Sequence, residues 1–249
     1  MPVLAEPRQK AILDIIDSGG QARVSELALR FSVSPMTIRR DFLALEEKGL
    51  AHRVHGGALA VSQYRFSDRL SANLRAKTRA IAKLADFIPS QGCLYLDGST
   101  TMLGITKYLS NRGNLQAATN NIETFNRLTA LTGPAALLLG GSLDVRTDNL
   151  IGPLALRSLD DLVFDAAFFS ARGLYAGIGL NEVTVEDALV KEKAAGQARL
   201  VLVAVDHSKL GVVAGCAWRP GLSKTILATD LDPGDQRLTP FREMFSRII

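Results

Sequence analysis

Ile12, Ile15 and Ile16 recur at helical spacing between Pro7 and the Gly19-Gly20 pair. A helix is therefore predicted over 7–18, with proline suited to its first turn and glycine to its end. Ser25 is placed to cap a second helix, with Glu26 in its first turn and an apolar staple between Val24 and Leu29. Leu27, Ala28 and Phe31 would face inward, and Ser32-Val33 makes a short turn. A third helix starts more sharply, with Ser34 as cap and Pro35 as first residue. Ile38, Phe42 and Leu45 form its buried stripe, and Lys48-Gly49 ends it. Two short extended runs then flank Gly56-Gly57 within 50–61, the pattern of a β-hairpin. Three helices followed by a hairpin predict a winged helix-turn-helix over 1–61.

Residues 62–76 are polar, rich in Ser and Arg, and read as a linker carrying Arg65, Arg69 and Arg75. From Lys77 the pattern changes. A helix with Ile81, Leu84, Ala85 and Ile88 ends at Pro89, and a strand over Cys93–Leu96 runs into Asp97-Gly98-Ser99-Thr100-Thr101 and a helix to Leu109. A strand over 116–119 meets Asn120-Asn121, which can cap a helix with Ile122, Phe125 and Leu128. A buried strand over Ala135–Leu139 ends at Gly140-Gly141, and another over Ala166–Phe169 ends at Ser170-Ala171-Arg172-Gly173. A helix over 184–196 precedes the apolar run Leu200–Val205, which ends at Asp206-His207-Ser208-Lys209, and a last strand over 225–229 ends at Asp230. Apolar strands alternating with helices predict a mainly parallel α/β sheet covered on both faces, over 77–249.

Composition narrows the class. The chain has 249 residues, 47% of them hydrophobic, enough for a substantial core. Mean hydropathy is +0.13, but no run of about 18 apolar residues occurs, so no membrane span is expected. The first ten residues carry Glu6, Arg8 and Lys10 and lack a secretory h-region. Cys93 and Cys216 are the two cysteines. They exclude a disulfide framework and a zinc finger and fit a reducing cytoplasm, with no metal or cofactor expected. Charge is uneven: residues 1–85 hold 14 Lys and Arg against 8 Asp and Glu, and the remainder 15 against 17. A basic front end on a slightly acidic body points to nucleic-acid contact by the N-terminal part, or to a solvated basic surface.

The third helix carries the chemistry of a base reader. Its first turns present Ser34, Met36, Thr37, Arg39 and Arg40 away from the buried stripe, where a recognition helix meets base edges in the major groove. An Arg there can fork onto guanine or hold a phosphate. Arg53 and His55 on the wing are candidates for backbone or minor-groove contact, and Asp41 suits a structural ion pair.

In the second half, polar loops follow the strands, where open α/β sheets bind ligands. The amides and hydroxyls of Gly98-Ser99-Thr100-Thr101 before a helix suit a phosphate, with Lys209 as countercharge. The P-loop lysine is missing, so a nucleoside triphosphate is not indicated. Asp97, Asn120 and Asp206 can bond sugar hydroxyls. Taken singly, each loop also fits an ordinary cap or turn.

Ser34-Pro35-Met36-Thr37-Ile38-Arg39-Arg40-Asp41-Phe42, followed by Leu45-Glu46, Gly49 and Arg53-Val54-His55-Gly56-Gly57-Ala58, closely resembles the DeoR family of bacterial transcriptional regulators, and Arg8 and Ile12 fit as well. The resemblance covers nearly the whole chain. It implies a sensor domain similar to the ribose-5-phosphate isomerase fold, operator DNA as partner, release by a phosphorylated sugar or related phosphate, and a homo-oligomer. Asp97, Thr100 and Thr101 match that family's Asp-x-Gly-Thr-Thr loop; Thr119-Asn120, Gly140-Gly141, Gly152, Lys191 and Asp206-x-Ser208-Lys209 also match. Two departures stand out: Gly98-Ser99 shifts the usual glycine by one place, and Ser170 and Arg172 replace Gly and a small residue. Arg172 is then either an additional phosphate ligand or a surface ion-pair partner. The rival reading is a phosphosugar isomerase with a DNA-binding appendage, using Asp97, Glu186 or Asp206 as base and Lys191 or Lys209 as stabiliser.

Overall fold

The computed structural model describes residues 5–19, 21–48, 50–54, 56–60, 66–221 and 224–249. They fall into two compact units, one within residues 1–64 and one spanning Arg65–Ile249.

The first unit runs α1 (Ala5–Gly19), β1 (Gln21–Arg23), α2 (Val24–Arg30), α3 (Pro35–Glu47), β2 (Ala51–Val54) and β3 (Gly57–Ala60). Ile12, Ile16, Leu27, Ile38, Phe42 and Leu45 pack into its core. The cap of α3 is as expected: Ser34 Oγ accepts the Thr37 amide at 3.1 Å, with Pro35 next. The start of α2 is not. The helix begins at Val24 behind Arg23, without a side-chain cap, so Ser25 lies inside it. Leu29 is 82% exposed and cannot staple to buried Val24. The wing gains β1, which pairs with β3 as β3 pairs with β2. Three residues are too few to show a period, so this strand left no mark in the hydrophobic pattern. Gly57 is required by that pairing, because a Cβ there would run into the Ala22 carbonyl.

One buried ion pair ties α1 to α3. Arg8 donates from Nε to Asp41 Oδ2 at 2.6 Å and from Nη2 to Oδ1 at 3.0 Å, and both residues are buried. Such a fork satisfies the carboxylate geometrically as well as electrically.

The second unit opens with α4 (Phe66–Leu70) and α5 (Leu74–Leu84), so most of the stretch expected as linker is helical. Then follow β4 (Gly92–Leu96), β5 (Leu115–Thr119), α6 (Ile122–Thr129), β6 (Ala135–Leu138), β7 (Ser142–Asp144), β8 (Asn149–Ile151), α7 (Pro153–Arg157), β9 (Phe164–Phe169), β10 (Gly173–Tyr175), β11 (Gly179–Glu182), α8 (Val185–Gly196), β12 (Ala198–Ala204), β13 (Cys216–Ala217), β14 (Thr225–Ala228) and β15 (Arg247–Ile248). Seven strands form one parallel sheet in the order β15-β14-β12-β9-β4-β5-β6. Side chains alternate between two cores. Tyr95, Phe169, Val201 and Val203 enter one, with Trp218; Leu94, Leu96, Phe168 and Leu202 enter the other, with Ile81 and Leu84 of α5. This is why the central strands read as continuous apolar runs. β6, expected to be buried, is half-exposed because it is an edge strand. The antiparallel pieces, β7–β8 and β10-β11-β13, were not expected.

The order places a switch point between β4 and β9. From β4 the chain builds outward to β5 and β6, then returns to lay β9, β12, β14 and β15 on the other side. The loops leaving β4 and β9 therefore diverge, and a crevice opens at the carboxyl end of the sheet.

The ion pair gives a prediction. Replacing Arg8 by Met leaves Asp41 buried without its partner and should lower stability by ~3–5 kcal/mol, whereas R8M/D41L should recover most of that loss. Urea unfolding of the full chain checks this, and a double variant as unstable as the single one would refute it.

Candidate nucleic-acid interface and anion site

On α3 the residues expected to read DNA stand on the solvent side. Met36 is 54% exposed, Arg39 and Arg40 are exposed, and Ser34 and Thr37 are engaged with each other, hydroxyl to hydroxyl, at 2.9 Å. These two therefore shape the helix start as well as facing outward. Arg53 is clamped to α3: its amide donates to Glu46 Oε1 at 3.0 Å and its Nε to Oε2 at 2.6 Å. The wing is thus held against the recognition helix by the residue expected to touch the DNA backbone. His55 lies outside the described residues.

At the carboxyl end of the sheet, the structure separates the expected ligand residues into two groups. The first is internally satisfied. Asp97 is fully buried and accepts four hydrogen bonds, from the Ser99 amide at 3.0 Å, Ser99 Oγ at 2.6 Å, the Ser170 amide at 2.9 Å and Lys191 Nζ at 2.6 Å. Lys191 also reaches the Ser170 carbonyl at 2.6 Å and Glu182 at 2.7 Å, which engages all three of its protons. Burial pulls its pKa down, but the Asp97 and Glu182 carboxylates outweigh this and hold it above the ordinary lysine range. Burial pushes the Glu182 carboxyl up. Asp97 and Lys191, expected as ligand contacts, thus join β4, β9, β11 and α8. Asn120 is likewise engaged: its Oδ1 accepts from the Tyr95 hydroxyl at 3.0 Å and its Nδ2 donates to the Leu150 carbonyl at 3.2 Å. Gly140 and Gly141 lie beyond edge strand β6, packed against Ser158, Ile151 and Ala155.

The loop after β4 also explains its departure from the family pattern. A side chain at Gly98 would collide with Asn149. That amide is fixed in a buried chain running from Asn121 Nδ2 to Asn149 Oδ1 at 2.8 Å and from Asn149 Nδ2 to Asp187 Oδ1 at 3.0 Å. Ser99 is accommodated because its hydroxyl donates to Asp97 and accepts the Met102 amide at 3.1 Å. The helix that follows, Met102–Tyr108, is 3-10 rather than α. The amides of Thr100 and Thr101 make no hydrogen bond among the described residues and remain as donors.

The second group is rich in cations. Lys77 on α5, Lys209 after β12, Arg172 after β9 and Arg69 on α4 are electrostatic neighbours around the carboxylate of Asp206, four cations to one anion. Lys77 donates to the Arg69 carbonyl at 2.6 Å and to Thr100 Oγ1 at 3.1 Å, which brings the cluster to the β4 loop. Burial, with Arg69 and Arg172 also pushing down and Asp206 pushing up, lowers Lys77 to about 8. Burial first, then Arg172, lowers Lys209 to about 7 against the opposing pull of Asp206. Asp206 is itself buried, and its Oδ1 accepts the Ser208 amide at 3.0 Å. A half-buried cluster in which cations depress one another favours an anion, and the Thr100 and Thr101 amides stand beside it. Lys209 and Arg172 thus lie in one cluster, which Lys77 links to Thr100; sequence reasoning did not include Lys77 or Arg69 in it. The signal for Lys77 is a lysine in register with Ile81 and Leu84 on the buried stripe of α5.

Among the described residues, no group of His, Cys, Asp and Glu could hold a metal ion, and no helix is long and apolar enough to cross a membrane. The rival catalytic reading loses its best carboxylate, because Asp97 is occupied on both oxygens.

A DeoR-like helix-turn-helix domain matches residues 8–64, and the DeoR C-terminal sensor domain matches residues 72–230. An uncharacterised HTH-type transcriptional regulator, FruR, of Bacillus subtilis is 31% identical, over 92% of this chain and 93% of its own. The glycerol-3-phosphate regulon repressor of Escherichia coli is 32% identical, over 82% of each chain. Ribose 5-phosphate isomerase A from Methanocaldococcus jannaschii aligns at 14% identity over 55% of each chain, with a TM-score of 0.41. The chain belongs to the DeoR family and is a DNA-binding transcriptional regulator.

Proposed function

We propose that this regulator is a cytoplasmic repressor of genes for carbohydrate use, that it binds operator DNA as a homo-oligomer, and that a phosphorylated sugar or sugar alcohol releases it. The observation that carries the effector reading is the gathering of Lys77 and Lys209 with Arg172 and Arg69 at the switch point, beside the Thr100 and Thr101 amides. The name of the Escherichia coli relative, a glycerol-3-phosphate regulon repressor, supports the same class. The effector set is then Thr100, Thr101, Arg172 and Lys209, with Lys77 and Arg69 added. Gly98 and Ser99 shape the loop, while Asp97 and Lys191 hold its frame. In this reading Ser34, Met36, Thr37, Arg39 and Arg40 face the major groove, and Arg53 and His55 the wing side of the site. Two copies would meet half-sites about one helical turn apart or a multiple of it. The phosphate binds more tightly to the DNA-free arrangement, and a coupling of ~1–3 kcal/mol suffices to shift the population. The protein performs no turnover, because release needs binding alone.

Three measurements test this. With operator DNA selected from a random pool, Arg39→Ala and Arg40→Ala should separate. The base-reading arginine loses ~1–3 kcal/mol with relaxed sequence preference, and the phosphate-holding one weakens all DNA and lowers the salt slope by ~1. Anisotropy titrations at several salt concentrations distinguish the two, and unchanged binding in both variants would remove α3 from the interface.

Thermal unfolding against sugar phosphates and their unphosphorylated parents tests the effector class. Saturation at ~100 times the dissociation constant adds ~2.7 kcal/mol. A shift with a phosphate and none with its parent is expected, and equal shifts would refute the class.

The third is a pH profile. A bound phosphate dianion raises the pKa of a lysine beside it. Where Lys209, at about 7, and Lys77, at about 8, have lost their protons, binding must therefore take protons up. Affinity should fall as pH rises from about 7 to 9. In Lys209→Arg, which stays charged, the fall should be shallower. Affinity that is flat or rising across this window would contradict the assignment.

A further inference from the structure

We propose that the β7–β8 hairpin, α7 and the first turns of α8 form the surface through which two copies of this chain associate about a two-fold axis. This rests on the homo-oligomer reading above and gives it a place on the second unit.

The three elements make one layer. Asn149 of β8 donates to Asp187 in the first turn of α8 at 3.0 Å, and Asp160, just after α7, pairs with Lys193 further along α8. α7 therefore runs beside α8 in the same direction, and it packs against β8 as well. On the inner side of the layer, Ala155 of α7 and Ala188 and Val190 of α8 join the core. The outer side is apolar too. Leu143 and Val145 of the hairpin, Leu154 of α7, and Val185 and Leu189 of α8 are each 46–70% exposed. Val185 and Leu189 stand four residues apart on one stripe of α8. The helix thus begins apolar on both sides, the pattern of a helix that is covered on both.

A single exposed leucine needs no cover, but five large apolar side chains on touching elements do. Together they leave on the order of 500 Å² of apolar surface in water, the range in which a patch marks an interaction site. A stable interface buries ~800 Å² on each partner, and in homodimers about two-thirds of it is apolar. The patch therefore matches the apolar share of one such interface. The charges beside it favour a second copy. Arg157 is exposed on the α7 side, and Glu186 and Glu192 on the α8 side. A two-fold axis along the seam between the helices lays the α7 side of one copy over the α8 side of the other. Unlike charges then meet, and the apolar patch covers itself.

Sedimentation velocity on the full chain, over a wide concentration range, tests this. The wild type should associate, and Leu189→Lys should raise the dissociation constant about thirty-fold or more, as the loss of a central anchor does. Leu154→Lys, on the other helix, should act in the same way. Emission from the one tryptophan, Trp218, buried in the core of the second unit, reports that each variant is folded. Ile178→Lys, at an exposed apolar residue of the β10–β11 turn, should leave the assembly as it is. If the folded Leu189 and Leu154 variants associate like the wild type, or if Ile178→Lys is the one that dissociates, this face is not the interface and the oligomer reading stands. If the wild type is a monomer at every concentration, both readings fall.

Discussion

The ammonium of Lys191 and the groups around it organise the second unit. One buried cation reaches Asp97 at the end of β4, the Ser170 carbonyl at the end of β9 and Glu182 on β11, from a seat on α8. Desolvating three charged groups is costly, and the cost is offset only because every proton and nearly every lone pair finds a partner. Removing any one member would leave the others buried and unbalanced. The arrangement fixes the two loops that diverge at the switch point, and with them the positions of Thr100 and Arg172. The crevice therefore has a rigid floor before any ligand arrives, which lowers the ordering cost of binding.

Above that floor the charges do not balance. Lys77, Lys209, Arg69 and Arg172 surround the carboxylate of Asp206, and burial first, then the repulsion between the cations, lowers Lys77 to about 8 and Lys209 to about 7. Framework and binding site use the same residue types and are told apart by saturation. The first unit obeys the same division. Arg8 and Asp41 close on each other in the interior, while Arg39 and Arg40 stay on the solvent face of the same helix bundle. Exposed arginines such as these suit the phosphates of DNA.

The parts of this molecule that were legible in the sequence are those whose causes are local. Ser34-Pro35 announces the start of α3, and Asn121 the start of α6, because a cap is decided within three residues. The apolar runs of β4, β9 and β12 announce a sheet buried on both faces. What escaped depends on distant partners. Ser25 has the chemistry of a cap, but the pairing of Arg23 with Gly57 sets where α2 begins. Asp97 and Lys191 carry the residue types of ligand contacts, and only their 94-residue separation, closed by the fold, turns them into a framework pair. Arg69 lies in a segment whose polarity suggested a linker and Lys77 directly after it, yet Lys77 ties the Arg69 carbonyl to Thr100 of the β4 loop. Short strands such as β1 and β13 exist because a neighbour offers an edge, so their own residues need show no period.

The same reasoning separates this site from a catalytic one. Proton abstraction beside a carbonyl needs a carboxylate with a vacant, correctly basic oxygen facing the substrate. Asp97 has none, and the loop after β9 presents Arg172. Among the described residues, Asp206 is the carboxylate with a buried oxygen that has no hydrogen-bond partner, and it stands among cations. In the proposed reading the regulator has only to hold a phosphorylated ligand long enough to bias its DNA affinity, a task that requires no bond to break.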